Sequence, residues 1–214
     1  MRDEKGPGIV KLTTTTCVTV DGVMQGLGGP DEDRSGGFER GGWQGPLWDR
    51  EAGTFLNDVF ARADAFLLGR RTYEIFVAYW GAMADDPGDN VIAVALNSKP
   101  KFVASTTLTD PSWADTSVLS GDLAAAIREL KASGEGEIQV HGSGALIRWL
   151  LTNDLVDEIN LLVSPVILGQ GTRLFADNGP DVALELVESR STPKGMLIQV
   201  YRPNGRPEYA MADA

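Results

Sequence analysis

Ile138-Gln139-Val140-His141-Gly142-Ser143-Gly144-Ala145-Leu146-Ile147-Arg148-Trp149-Leu150-Leu151 is the stretch that decides the fold. Four residues of strand character run into Gly-Ser-Gly, and an apolar helical segment follows, ending near Thr152-Asn153-Asp154. Gly142 and Gly144 carry no Cβ, so a backbone there can lie against a ligand. Ser143 is expected to cap the helix, whose remaining first-turn amides point outward with the positive end of the dipole. That combination attracts phosphate or pyrophosphate, and a nucleotide cofactor is the first candidate. A full dinucleotide fingerprint asks for a third small residue at position 147, where Ile147 stands, and an acid about 20 residues on. It also normally follows the first strand. A plain strand-turn-helix corner has the same appearance, so the stretch needs company.

Composition sets the outer limits. The chain has 214 residues, 43% hydrophobic and 23% charged, which suits one domain with a sizeable core. A net charge of −11 argues against nucleic acid or an anionic membrane as partner, since both require a basic face. Cys17 is the single cysteine, placed mid-strand as a core residue, so no disulfide framework or thiolate cluster is available. His141 is the single histidine, and no metal site is expected. No apolar run approaches a membrane span and Met1-Arg2-Asp3-Glu4-Lys5 lacks signal-peptide character, so a cytoplasmic protein is expected.

Taken in order, residues 1–8 suggest a flexible arm, 9–202 one domain and 203–214 a tail. Val10 to Val20 is rich in β-branched residues and predicts a central strand ending at Asp21-Gly22. Met24 to Trp48, full of glycine but carrying Phe38, Trp43 and Trp48, has no period. It reads as a lid or pocket wall, or else as a dimer contact. Asp49 to Arg62 predicts a helix with Asp49 as its cap, and Asp64 to Leu68 a short buried strand running into Gly69-Arg70-Arg71-Thr72 and a helix to about Trp80. The arginines there suit phosphate, though a surface ion-pair cluster would explain them equally. Asn90 to Leu96 fits the end of a helix or a short extended piece. Lys101 to Ser105 is a strand landing on Ser105-Thr106-Thr107, where hydroxyls bind phosphate or cap a turn. Val118 begins a further short strand. Asp122 to Ala132 is an amphipathic helix, and Asp157 to Leu168 a strand with an irregular middle at Ser164-Pro165. A flexible Gly169-Gln170-Gly171-Thr172 turn follows, and Val182 to Arg190 with Met196 to Arg202 forms a hairpin. Alternating strands and helices imply a mostly parallel sheet with helices on both faces and antiparallel strands at one edge. In such a sheet, the ends at Asp21-Gly22, Gly69–Thr72, Ser105-Thr106 and Gly142–Gly144 share one rim.

Gly69-Arg70-Arg71-Thr72-Tyr73-Glu74 resembles a stretch of dihydrofolate reductases. The Lys101–Thr106 strand, Gly142-Ser143-Gly144, and Leu168-Gly169-Gln170-Gly171 with Phe175 follow in that family's order. Val18-Thr19-Val20-Asp21-Gly22 is more similar to the opening of a sister group. That group comprises the reductase domain of the bifunctional riboflavin-biosynthesis deaminase/reductase and its stand-alone relatives. The resemblance covers about residues 10–202 and implies a dihydrofolate reductase-like three-layer α/β sandwich that uses NADPH. It places the 2′-phosphate at Arg70, Ser105 and Thr106, with Arg71 at a less constrained position beside Gly69. The pyrophosphate falls at Thr72 and the Gly142, Ser143, Gly144, Ala145 and Leu146 turn, and Val20 to Gly22 flank the nicotinamide. Hydride would pass to a C=N or C=O carbon of a small heterocyclic or sugar-linked substrate, as in 5-amino-6-(5-phosphoribosylamino)uracil reductase.

Dihydrofolate reductases hold a carboxylate on the first helix. Here that place falls near Gly53, and only a one-turn shift would bring Asp49 or Glu51 to it, which favours the sister group over folate reduction. Asp21 is then the best-placed carboxylate for orienting substrate or relaying a proton, with a plain turn role as the alternative. Trp43 and Trp48 are candidates to stack on a heterocycle, Gly169 and Gly171 to line the substrate, and His141 to be structural. A non-catalytic nucleotide or heterocycle binder is the rival reading. A homodimer is expected, as in relatives.

Overall fold

Four consecutive threonines, Thr13 to Thr16, followed by Cys17, Val18 and Thr19, make the strand at the centre of the domain: every residue from Leu12 to Thr19 is buried. The structure, a computed structural model, describes residues 9–175 and 179–210. The expected arm over 1–8 and the last residues of the expected tail, 211–214, lie outside the described residues. The strands are β1 (Lys11–Thr19), β2 (Ala65–Gly69), β3 (Lys101–Ala104), β4 (Thr116–Leu119), β5 (Glu137–His141), β6 (Glu158–Ser164), β7 (Leu184–Ser191) and β8 (Leu197–Pro203). They form one sheet in the order β4-β3-β2-β5-β1-β6-β8-β7. The first six run parallel, whereas β8 is antiparallel to β6, and β7 to β8.

The helices are α1 (Arg50–Ala61), α2 (Arg70–Tyr79), α3 (Val91–Ser98), α4 (Leu123–Ala132) and α5 (Gly144–Thr152). One side of β1 sends Leu12 and Val18 into a core with Ile127 of α4 and Leu146, Ile147 and Leu150 of α5. The other side sends Cys17 into a core with Ala52, Phe55 and Val59 of α1. This is the three-layer α/β arrangement that the alternation implied.

Differences from expectation have local causes. The segment left open at Asn90 to Leu96 is α3, begun by the Asn90 side chain, which accepts from the amides of Ile92 and Ala93 at 3.1 Å. The strand expected to run to Leu168 stops at Ser164, because Pro165 has no amide to extend the ladder. In the described part of the expected tail, the Arg206 guanidinium donates to the Asp181 carbonyl at 2.7 Å.

The glycine-rich loop 24–48 is a folded unit. Phe38, 2% exposed, is wedged between Gly26 and Gly171, where added Cβ atoms would stand only 2.9 and 2.8 Å from its ring. The Gln25 side chain is the loop's hub. Its amide nitrogen lies 3.0–3.2 Å from oxygens of Asp33 and Ser35. Its Oε1 accepts from the Thr172 amide at 2.9 Å and the Thr172 hydroxyl at 3.1 Å. Arg71 of α2 grips Asp33 with both arms of its fork, fastening the loop beside the start of that helix. Phe38→Ala should cost roughly 3–5 kcal/mol, read as a lowered urea midpoint, and should open the loop to tryptic cleavage at Arg34 or Arg40. An unchanged midpoint and cleavage pattern would show that the ring does not hold the loop.

Candidate functional site

β2 and β5 are neighbours, so the helices that leave them start side by side. Their starts are joined by one side chain. The Ser143 hydroxyl accepts from the Gly69 amide at 2.9 Å and donates to Thr72 Oγ1 at 2.6 Å. Ser143 does not cap α5, as its sequence position suggested. Its backbone is left-handed (φ 60°), which turns the side chain away from its own helix toward α2. Gly69 must be glycine, since a Cβ there would stand 2.5 Å from Ser143 Oγ.

The consequence is two uncapped helix starts in contact. α1, α3 and α4 are closed by Asp49, Asn90 and Asp122, but neither α2 nor α5 has a side-chain cap. Among the described residues, the first-turn amides of both helices are open, and both dipoles add positive potential at one spot. An anion with several oxygens suits such a place. Met24, on the entry to the loop, lies over the same turn, its Sδ 2.8 Å from where a Gly144 Cβ would stand.

A cation completes this side of the rim. The exposed Arg70 guanidinium is held by Glu74 one turn along the helix and by the hydroxyl of Thr107 across the rim. Ser105 Oγ accepts from the amides of Thr107 and Leu108, ordering that turn. Gly69, Arg70, Thr72, Ser105, Gly142, Ser143 and Gly144 are thus one neighbourhood, with exposed Ala145 and buried Leu146 in the first turn of α5 and exposed Thr106 beside Ser105. Thr107 had no signal beyond its hydroxyl neighbours. Arg71 pairs with Asp33 of the glycine-rich loop, as Arg70 pairs with Glu74 of its own helix.

Asp21 and Gly169 form a second neighbourhood. The Asp21 carboxylate accepts from the Thr19 hydroxyl at 2.6 Å and the amides of Leu168 at 3.1 Å and Gly169 at 2.8 Å. The Thr19 hydroxyl first, and then those amides, hold its pKa down at about 2, against an ordinary 3.8. Such a carboxylate is a clasp between β1 and the segment after β6, and it carries no proton to give near neutrality. Val20 is 61% exposed at this rim, and Gly22 takes a positive φ of 79° in the turn.

The tryptophans are not open stacking platforms. Trp43 is 8% exposed and donates its ring N–H to the Gln25 carbonyl at 2.8 Å, so it belongs to the core of the loop. Trp48 packs on the start of α1, its Nε1 3.4 Å from where a Gly53 Cβ would stand. Asp49 is the α1 cap, accepting from the Ala52 amide at 3.0 Å, and Glu51 is an exposed first-turn residue. The sheet-facing residues of α1 are Ala52, Phe55 and Val59, so no carboxylate stands where folate reduction would need one. His141 is buried against Phe60, with ring centroids 4.0 Å apart. Burial, followed by the Arg62 charge, lowers its pKa to about 3. Its Nε2 lies 2.9 Å from Gln139 Oε1, whose amide nitrogen donates to the Val59 carbonyl and to Glu137, so His141 is a neutral member of a buried structural network.

A cavity of about 290 Å³ adjoins the Asp21 clasp, lined by Gln25, Ser35, Phe38, Gln170, Gly171 and Thr172. Its walls are amides, hydroxyls and one aromatic ring. A larger one, about 420 Å³, opens at the opposite edge of the sheet around Asp154 and Arg206. Among the described residues there is no cluster of His, Cys, Asp and Glu able to hold a metal, and no helix long and apolar enough to cross a membrane.

The model of the RibD C-terminal domain family matches residues 10–198. The chain is 27% identical over 197 residues to YyaP, described as an uncharacterized protein of Bacillus subtilis (strain 168), covering 91% of this chain and 96% of that one. A putative riboflavin biosynthesis protein from Shewanella sp. PV-4 has a similar structure, with TM-score 0.64 and 21% identity over 91% of this chain and 99% of that one. Dihydrofolate reductase from Enterococcus faecalis, solved with NADP(H) and RAB-propyl, superposes with TM-score 0.57 and 14% identity, over 93% and 99% of the two chains. The fold is thus dihydrofolate reductase-like.

The Asp21 clasp makes a pH-dependent statement about stability. With the folded-state pKa at about 2 and the ordinary value at 3.8, its contribution is complete above roughly pH 4 and drains away as the pH falls toward 2. Asp21→Asn should cost roughly 1–3 kcal/mol in urea unfolding at neutral pH, since one amide donor then faces another donor. The gap to wild type should shrink at acid pH, and an equal gap at both would remove Asp21 from this role.

Proposed function

Because the chain belongs to the RibD C-terminal domain family, we propose that it is an NADPH-dependent reductase of riboflavin-pathway type, acting on a small heterocyclic or sugar-linked substrate. The observation that carries this reading is the pair of uncapped helix starts tied by Ser143, with Arg70 at its flank. Open amides of Gly144, Ala145 and Leu146 and of the α2 start would hold the pyrophosphate, with no Cβ at Gly142 to keep it off and with Met24 packed into the space that the missing Gly144 Cβ leaves. Arg70, with the Ser105–Thr107 turn, would hold the 2′-phosphate, a task suited to guanidinium. Reduced nicotinamide, when bound, supplies the hydride.

The chain's own part is placement. The Asp21 clasp fixes the exposed Val20–Gly22 turn as a wall for the reacting ring. The neighbouring cavity, lined by Gln25, Ser35, Phe38, Gln170 and Thr172 with no cationic side chain, suits an uncharged heterocycle or polyol in preference to a carboxylated one. Loop 24–48, fastened by Arg71 to Asp33, limits water over the site. Since Asp21 is ionised near neutrality and His141 is a neutral imidazole buried against Phe60 and Gln139, solvent is assigned as the proton source.

Arg70→Ala should weaken NADPH binding about 10- to 150-fold, the worth of one charge-assisted phosphate contact, while leaving NADH nearly unchanged. Titration by tryptophan fluorescence reads both. Equal losses for the two cofactors would refute the 2′-phosphate assignment. NADPH oxidation against pterin, aminouracil and quinone substrates then separates a reductase from a binder without turnover.

A further inference from the structure

The end of loop 24–48 holds hydrogen-bonding groups that the fold leaves unused. Gln44 is 5% exposed and Ser164 is fully buried, yet Gln44 Nε2 and Ser164 Oγ have no hydrogen-bond partner among the described residues. The Cys17 thiol beside Gln44 is a weak acceptor at best. A third unused group is the indole N–H of half-buried Trp48. The same group of Trp43 and of Trp113 reaches an oxygen at 2.8 and 2.7 Å, whereas Trp48 Nε1 has no acceptor among the described residues.

The fold gathers these three groups. Ser164 pairs with Thr19 and stands two residues beyond Leu162, the partner of Cys17, so it shares the α1 side of the sheet with both. Gln44 meets that side at Cys17. Trp48 follows Gln44 across the short turn Gly45–Leu47, packs into the same apolar cluster and lies over Gly53 of α1. Thr19 leads directly into the Val20–Gly22 turn, so the three groups adjoin the wall given above to the reacting ring. An unpaired buried donor costs stability, and such groups persist where a ligand or an ordered water completes them. Two of the three, an amide NH2 and an indole N–H, can donate but cannot accept.

We propose, resting on the reductase reading above, that these groups receive the carbonyl edge of the substrate ring and that Gln44 sets its specificity. The ligand class is a flat cyclic imide or dione, whose oxygens accept from Gln44, Trp48 and Ser164. A ring carrying amino groups along that edge sets donor against donor and is rejected. The carboxylate at the start of α1 does not reverse this preference, because Asp49 accepts from the amides of Ala52 at 3.0 Å and Lys194 at 2.9 Å. Entry of the ring requires the Gly45–Leu47 turn to swing out. An exposed contact holds that turn, the Lys194 ammonium donating to the Pro46 carbonyl at 3.0 Å.

Lumazine (2,4-dioxopteridine) and 2,4-diaminopteridine are matched probes that differ along this edge. Equilibrium dialysis of the full-length protein, with and without NADP+, should show lumazine bound about tenfold tighter than the diamino probe. Gln44→Met removes the donor at similar size. It should weaken lumazine about tenfold and erase the preference without lowering the urea midpoint, while NADPH affinity stays that of wild type. Gln44→Glu, which puts a second acceptor in place of the donor, should turn the preference toward the diamino probe. Trp48→Phe, which keeps an aromatic ring and loses the N–H, should also weaken lumazine. A wild type that binds no lumazine at about 1 mM, or binds both probes equally, overturns the proposal. So does a preference that survives either Gln44 substitution, the result expected of a group completed by an internal water alone. A lumazine preference in a protein that binds no NADPH sustains the cluster and removes the reductase reading instead.

Discussion

The hydroxyl of Ser143 makes two hydrogen bonds, and the candidate site depends on both. By accepting from the Gly69 amide and donating to Thr72, it locks the start of α5 against the start of α2. A hydroxyl spent this way cannot close its own helix, and the left-handed backbone at Ser143 commits it to the outward task. Two sets of first-turn amides are left open at one place, whereas α1, α3 and α4 are closed by Asp49, Asn90 and Asp122. An acidic protein can attract an anion only through such local arrangements, since its long-range field works against the approach.

The architecture was legible because its causes are local. Threonine and valine in β1, the apolar faces of α1 and α4, and the strand-glycine-helix passages fix element types over a few residues each. Parallel topology then carries the strand ends to one rim whatever their side chains do. α3 resisted because Val91–Ser98 is apolar on most positions and short, so neither period stands out. The strand stop at Ser164 was written in Pro165, but its exact consequence depended on where pairing to β8 began.

Side-chain destinations within the site were less legible, because they are settled by partners far away in sequence. Asp21 looks available until the amides of Leu168 and Gly169, nearly 150 residues on, take both its oxygens. Trp43 looks like a stacking surface until Gln25 and Phe38 draw it inside the loop. Arg71 and Arg70 are adjacent and chemically alike, yet one turns to Asp33 and the other to Thr107. Nothing in the order of residues distinguishes them, since the choice is made by which acceptor the fold brings within reach.

The Arg71–Asp33 fork also sets a physical limit on the loop it fastens. Its guanidinium is 61% exposed, so the attraction is of the surface kind, worth about 0.2–1 kcal/mol and weakened as dissolved ions shorten the reach of charge. The Phe38 wedge beneath it is apolar and does not share that sensitivity. Ionic strength therefore acts on the contact that ties loop 24–48 to the start of α2 and not on the Phe38 wedge, so the surrounding electrolyte loosens one side of the loop while the scaffold stays as it is.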